Sequence, residues 1–178
     1  MNARSATLLS TLSAPATVRL ERLLPGPVER LWAYLTESKK RATWFCGGEF
    51  ELRVGGHARL QFDHNCLSSD QNIPDKYKGV EHSYFEGTIT RLEPNRVLAY
   101  RWNMGGGDTE VTFELSPRGK NVLLTITHTG LNARAAQISV MSGWDVHTGI
   151  LEDVLNGAEP RPFWSTHSKL EKEYQARL

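Results

Sequence analysis

Apolar and polar positions alternate, break off and resume along this chain in an order that predicts one early strand, a helix, a run of strands and a long late helix. From Thr17 to Leu24, Val18, Leu20 and Arg22 alternate with Arg19, Glu21 and Leu23, the period of a strand with one half-buried face. Pro25-Gly26-Pro27 interrupts it, and Pro27 suits the first helical position, where a missing N–H costs no intrahelical bond. Val28, Leu31, Trp32 and Leu35 then recur at i, i+3, i+4 and i+7, one buried helical stripe.

Beyond the charged segment Lys39 to Arg41, the aromatic pair Trp44-Phe45 meets Gly47-Gly48, which predicts a turn. Glu49 to Val54 and His57 to His64 read as two short strands joined through Gly55-Gly56, with Ala58, Leu60, Phe62 and His64 on one face of the second. Asn65 to Ser83 is a polar stretch of about twenty residues, a length that marks lids and binding loops in small domains, and it is read as a candidate lid. Tyr84 to Leu92, Val97 to Asn103, Thr109 to Leu115 and Asn121 to His128 follow as strands, separated by Glu93-Pro94-Asn95, Gly105-Gly106-Gly107 and Pro117-Arg118-Gly119. Turn residues at about ten-residue intervals predict an antiparallel meander. Leu98, Tyr100 and Trp102 share a face of one strand, Val111, Phe113 and Leu115 of the next, and Val122, Leu124, Ile126 and His128 of the last.

Gly130 closes the strands, and Asn132 is placed to cap a helix that runs to Leu155 and stops at Asn156-Gly157. Val140, Trp144, His147, Leu151 and Leu155 form its apolar stripe, with Asp145, Glu152 and Asp153 on the other side. A sheet of consecutive strands leaves one apolar face open, and a long striped helix at the end of the chain is suited to close over it. That arrangement is a container for an apolar small molecule or lipid-like ligand. Past Pro160 and Pro162, Ser165 to Leu178 reads as a last helix with Leu170, Tyr174 and Leu178 on one side, expected to pack on the outside or, together with Phe163-Trp164, to form a homodimer contact.

Composition narrows the function classes. The chain has 178 residues and a net charge of +1 with both signs interspersed, which predicts one domain and argues against nucleic acid as a partner. No apolar run is long enough to span a bilayer, and Met1 to Ala16 lacks the apolar block of a signal peptide and is read as a flexible arm. Cys46 and Cys66 have neither the number nor the spacing of a disulfide framework, so a cytoplasmic protein with free thiols is expected.

Several segments in sequence order carry a resemblance: Pro-Val-Glu-Arg-Leu-Trp from Pro27 to Trp32, Trp44-Phe45, Phe85-Glu86-Gly87 running to Leu92-Glu93-Pro94, Leu98 to Trp102, His128-Thr129-Gly130-Leu131, and Gly143-Trp144. Together they resemble the Hsp90-ATPase-activator-homologue family, a branch of the START-like, Bet v 1-like (SRPBCC) helix-grip superfamily. The resemblance runs from about Thr17 to Gly157. It implies an α+β helix-grip fold, a curved antiparallel sheet of about six or seven strands wrapped around a long C-terminal helix, with a hydrophobic cavity between them. Residues 17–157 would form this domain, 1–16 its arm and 158–178 a helical extension. The superfamily holds lipid carriers, hormone binders, polyketide cyclases and a co-chaperone, so it implies an architecture more narrowly than an activity. Hsp90 is a minor expectation as partner, because the eukaryotic co-chaperone carries a further N-terminal domain.

Candidate ligand-binding residues follow from the inward faces: Trp44, Leu60, Phe62, His64, Tyr100, Trp102, Phe113, His128, Trp144, His147 and Leu151. Core packing explains any one of these aromatics about as well, and a satisfied structural histidine is the commoner state of His64, His128 and His147. If two of the histidines faced one void, a cyclase- or hydrolase-type enzyme would be the alternative, and an Hsp90-linked or stress-related interaction module a third reading. No cofactor is expected. Asp63-His64-Asn65-Cys66, with His82, offers ligand types but lacks the spacing of a metal site. Cys46 has no neighbour in sequence that would activate it, and Gly105-Gly106-Gly107 joins two strands rather than opening a helix, so it is no phosphate loop.

Overall fold

The computed structural model describes residues 9–104 and 107–178. The early alternation forms strand β2 (Thr17–Pro25), paired antiparallel on one side with β1 (Ser10–Ala14). This corrects the reading of a loose arm through Ala16; residues 1–8 of that arm lie outside the described residues. Ser10 is held by buried hydrogen bonds rather than by apolar area, so no hydrophobic period announces the strand. After β2, Pro27 stands at the N-cap of α1 (Val28–Thr36) rather than at its first helical position, and α2 (Ser38–Arg41) follows. The chain then crosses to the far edge of the sheet and returns as the expected meander: β3 (His57–Asp63), β4 (His82–Glu93), β5 (Val97–Met104), β6 (Gly107–Arg118) and β7 (Asn121–Thr129), each antiparallel to the next. β7 closes onto β2, giving one seven-stranded sheet in the order β1-β2-β7-β6-β5-β4-β3. Gly105 and Gly106, expected as the turn between β5 and β6, lie outside the described residues.

Only the second arm of the hairpin expected at Gly55-Gly56 is a strand. Residues 49–54 make a single bridge, Phe50 to Ala58, because Leu52 and Val54 remain exposed and offer no apolar face to hold a register. The β4–β5 register shifts between Ile89 and Arg91, and the extra residue, Thr90, bends the sheet. Its concave side carries Val18, Leu20, Leu124, Ile126, Val111, Phe113, Tyr100, Trp102, Leu60 and Phe62, all buried.

Helix α3 (Arg134–Leu155) lies in the concavity with its backbone nearest β1 and β2. Its N-cap position is Ala133, without a side-chain bond; the expected cap, Asn132, instead turns its backbone N–H to Gly130. α4 (Phe163–Arg177) packs along α3, so Phe163, Trp164, Leu170 and Tyr174 are buried within the chain itself. This corrects the expectation of an outer helix: Phe163, Trp164, Leu170 and Tyr174, invoked for a dimer contact, are already covered, and Leu178 at the end of the stripe stays exposed. The same packing buries Asp145, which the stripe pattern puts on the solvent side of α3.

Asp145 is the polar knot of the fold. It accepts hydrogen bonds from the Ser10 hydroxyl at 2.9 Å, the Leu9 amide at 3.3 Å and the Tyr174 hydroxyl, while the Tyr174 oxygen accepts the Ser10 amide at 3.0 Å. Burial raises the Asp145 pKa, and these donors act against that rise. One carboxylate thus joins the first strand, the gripping helix and the last helix. Tyr174→Phe leaves that buried carboxylate short of a donor and is expected to lower stability by about 1–3 kcal/mol in urea unfolding, whereas a surface change such as Lys172→Ala is expected to be neutral.

Candidate ligand-binding site

Where α3 stands off from β3, β4 and β5, large side chains bridge the gap and leave a chamber of about 190 Å³. Phe62, Phe85, Trp102 and His128 come from the sheet, and Val140, Gly143, Trp144 and His147 from α3. Phe163, Trp164 and His167, from the first turns of α4, close another side. The segment 64–83 supplies His64, Tyr77, Val80 and Ser83, and the turn before β3 supplies Phe45.

Of the residues expected from sequence, Phe62, His64, Trp102, His128, Trp144 and His147 meet in this chamber. Trp44, Leu60, Tyr100, Phe113 and Leu151 do not; they are buried in the packed core beside it. Tyr100 is covered by Phe50 and Phe113, with ring centroids 5.3 and 5.9 Å away, and Trp44 turns its indole N–H to the Tyr34 carbonyl at 2.9 Å. Phe45, the neighbour of Trp44, is the ring that reaches the wall. It packs edge-on to Phe62 at 5.1 Å and to His147 at 5.1 Å, and tilted on Trp144 at 5.0 Å. Phe45 and the α4 residues are the main ones that the strand and helix faces do not reveal.

Phe45 is positioned by a buried arginine. Arg41 is 1 % exposed; its guanidinium donates to the carbonyls of Leu35 at 3.3 Å, Thr36 at 3.1 Å and Gly48, and lies 3.6 Å above the centroid of the Phe50 ring. Gly48 has a φ of 94°, and a Cβ there would sit 2.2 Å from the Arg59 carbonyl oxygen, so this turn admits only glycine. The same burial pushes the Cys46 thiol up to about 12 despite the nearby Arg41, which leaves it an inert core residue.

The polar segment 65–83, expected as a lid, is a strap fastened to α4. Asp70 accepts from the Ser165 amide and hydroxyl, both at 2.7 Å, and the Ser68 hydroxyl accepts the Phe163 amide at 2.9 Å. α4 has no side-chain cap of its own at Pro162, so the strap satisfies its first N–H groups. Tyr77 stacks on Trp164 at 5.6 Å, and Lys76 pairs with Glu171.

Four histidines face the chamber, and their bonds distinguish them. His128 is fully engaged: its Nδ1 accepts the Trp144 indole N–H at 3.2 Å, and its Nε2 bonds at 2.9 Å to the Thr109 hydroxyl, which itself donates to the Trp102 carbonyl at 2.6 Å. The ring is therefore neutral with the proton on Nε2, and burial brings its pKa down to about 4. His147 donates from Nδ1 to the Trp44 carbonyl at 2.8 Å, and His64 from Nδ1 to the Glu81 carbonyl at 3.2 Å. The two rings lie 5.6 Å apart. Burial holds both below the ordinary range, His147 far below, and His167 is lowered by burial to about 4. Among the described residues no group of three or more His, Cys, Asp or Glu is arranged to hold a metal ion, and no helix is long and apolar enough to cross a membrane.

With this geometry in place, comparison with known proteins gives a consistent result. Residues 25–156 match the family model described as Activator of Hsp90 ATPase homolog 1-like protein. The chain belongs to this family. Its sheet wrapped about α3 is the helix-grip architecture of the wider START-like, Bet v 1-like superfamily, as the resemblance implied. Within that fold, the protein encoded by gene BPP1335 from Bordetella parapertussis is similar at 39 % identity and TM-score 0.79, covering 100 % of this chain and 96 % of that one. CalU16 from Micromonospora echinospora is similar at 22 % identity and TM-score 0.67, covering 90 % and 86 %. EF2215 from Enterococcus faecalis, a conserved protein of unknown function, is similar at 19 % identity and TM-score 0.66, covering 92 % and 86 %. The last two likenesses show the fold alone. No curated protein matches the chain.

The buried neutral imidazoles couple this site to pH. Unfolded histidines take up protons near pH 6.5, whereas folded His128 and His167 do so only near 4, so their contribution is complete above about 6.5 and is lost as pH falls toward 4. Asp145, with its pKa raised, offsets part of this loss. Urea unfolding is expected to give a stability about 2–4 kcal/mol lower at pH 5 than at pH 7, at roughly 1.4 kcal/mol per pH unit for each histidine. A flat profile over that interval would contradict the burial of these rings.

Proposed function

We propose that this protein is a binding domain that takes a small apolar molecule into the chamber between sheet, α3 and α4. Gly143 carries the reading. It lies in the middle of α3 and lines the chamber, and a Cβ added there meets no atom within 4 Å. A mid-helix glycine costs about 1 kcal/mol relative to alanine, and nothing in the packing requires this one. The effect of keeping it is an open space among aromatic rings. A chamber of 190 Å³ falls below the roughly 300–1,000 Å³ of common ligand pockets, which favours a compact ligand over a two-chain lipid. A cytoplasmic location rests on the two free thiols, Cys46 and Cys66.

An enzyme of the cyclase or hydrolase sort has one observation in its favour, the proximity of His64 and His147. Against it, no carboxylate among the described residues lines the chamber, both imidazoles are made weaker bases by burial, and His128 has no free nitrogen. An Hsp90-linked role would use the outer surface, and nothing in the chamber speaks for it.

Gly143→Leu separates binding from folding. The variant is expected to keep or raise the melting temperature, since leucine is the better helix former, and to lose binding by at least about tenfold for any one-ring compound that quenches wild-type tryptophan fluorescence. Undiminished binding in this variant would place the ligand elsewhere and sink the proposal.

A further inference from the structure

The polar atoms in the chamber wall limit what can enter. His64 and His147 each commit Nδ1–H to a backbone carbonyl, so in each ring Nε2 is left as a bare lone pair. The backbone, not the solvent, therefore fixes two hydrogen-bond acceptors on rings 5.6 Å apart. Phe62 stacks with both His64 and Trp102, at 5.3 and 5.5 Å, which brings a donor into the same aromatic layer. Among the described residues the Trp102 indole N–H is buried without a partner, and so is Nδ1 of His167; both residues line the chamber and are only 6 % exposed. Buried polar atoms left over in this way are ordinarily satisfied by water or a ligand.

Equally informative is what the wall lacks. Among the described residues no Lys, Arg, Asp or Glu lines the chamber, so a carboxylate, phosphate or ammonium ion would enter without a counter-charge and would lose hydration. A hydroxyl group has the opposite fit, because its hydrogen can go to an imidazole nitrogen while its oxygen accepts from the indole. Size sets the rest: an apolar cavity of about 150 Å³ holds benzene, so the present 190 Å³ suits one ring with a short substituent.

We propose, building on the ligand-binding reading above, that the chamber selects neutral one-ring-sized molecules bearing a hydroxyl or N–H donor and excludes carboxylates, phosphates and ammonium ions. The donor hydrogen goes to Nε2 of His64 or His147. Trp102 gives the returning hydrogen bond to a hydroxyl oxygen.

Four one-ring probes of similar size test this on the full chain near neutral pH: benzyl alcohol, toluene, benzoate and benzylammonium, titrated while the Trp102 indole N–H and the histidine ring nitrogens are followed by NMR. Benzyl alcohol is expected to bind at least about five times more tightly than toluene and at least about twenty times more tightly than either ion, with a shift of the Trp102 indole proton. Toluene within about twofold of benzyl alcohol would leave an apolar pocket but overturn the donor selectivity. Either ion binding as well as the alcohol would overturn it too, and so would stoichiometric Zn2+ binding that moves the His64 and His147 nitrogens. If none of the four probes binds, the ligand reading falls with it. His64→Leu, a change of a half-buried residue of the chamber wall, is expected to reduce the alcohol's advantage over toluene to less than about twofold. An unchanged advantage in this variant and in His147→Leu would overturn the assignment of the acceptors.

Discussion

One face of a broad curved sheet has to be kept from water, and a single helix is too narrow to do it. Seven strands at a spacing of about 4.8 Å span roughly 29 Å, whereas a helix with its side chains is about 10–12 Å across. α3 resolves this by lying close to β1 and β2, which leaves β3 to β5 to be covered from farther away. The remaining gap is bridged by large rings on both sides, Phe62 and Trp102 from the sheet and Trp144 from the helix. Rigid rings meeting at tilted and edge-on angles fill such a wedge incompletely, and the chamber is what they leave. α4 and the strap that caps it then form another part of the wall, which stays open to solvent where Val80 is exposed.

Polar groups fix this assembly where apolar area alone would let it slide. Asp145 ties β1, α3 and α4 together; Arg22 on β2 reaches Glu152 at 2.8 Å and Thr148 at 3.1 Å on α3; Asp153 holds Arg161 ahead of α4. The Asp145 and Arg22 bonds join elements far apart in the chain and so specify one docking of helix on sheet, while the Asp153 pair fixes the turn from α3 into α4. The His128 chain from Trp144 through Thr109 to the Trp102 carbonyl does the same inside the chamber wall. His64, His147, His167 and Trp102 differ in that they retain hydrogen-bonding capacity which the protein does not use itself. Structure and proposed selectivity therefore divide between two sets of polar residues, one saturated and one not.

The strand faces were legible in the sequence because a period of two survives wherever one side of a sheet is wet, and this placed Phe62, Trp102 and His128 correctly on the inner face. A face does not tell how far along a strand the cavity lies. Tyr100 and Phe113 share the inner side with Trp102 but sit where other rings already cover them. The terminal helix shows the same limit in another form. Its stripe through Leu170 and Tyr174 revealed that a surface is covered, while what covers it depends on α3, and so Phe163, Trp164 and His167 could not be assigned to the chamber from their own segment. Arg41 and Ser10 escaped because they are buried through hydrogen bonds, which leave no hydrophobic period. Asp145 escaped because a carboxylate on a helix is ordinarily a solvent-facing residue.

That the interior is hollow beside Gly143 is the claim on which the binding account stands. Xenon enters cavities walled mainly by apolar groups and is visible by its electron density, so a crystal of the protein pressurised with xenon probes the part of this space between the aromatic rings whatever its natural ligand. A xenon atom is expected in the space bounded by Phe62, Trp102, Trp144 and Phe163. An interior in which side chains from α4 or the strap occupy that position, with no xenon there, would contradict it.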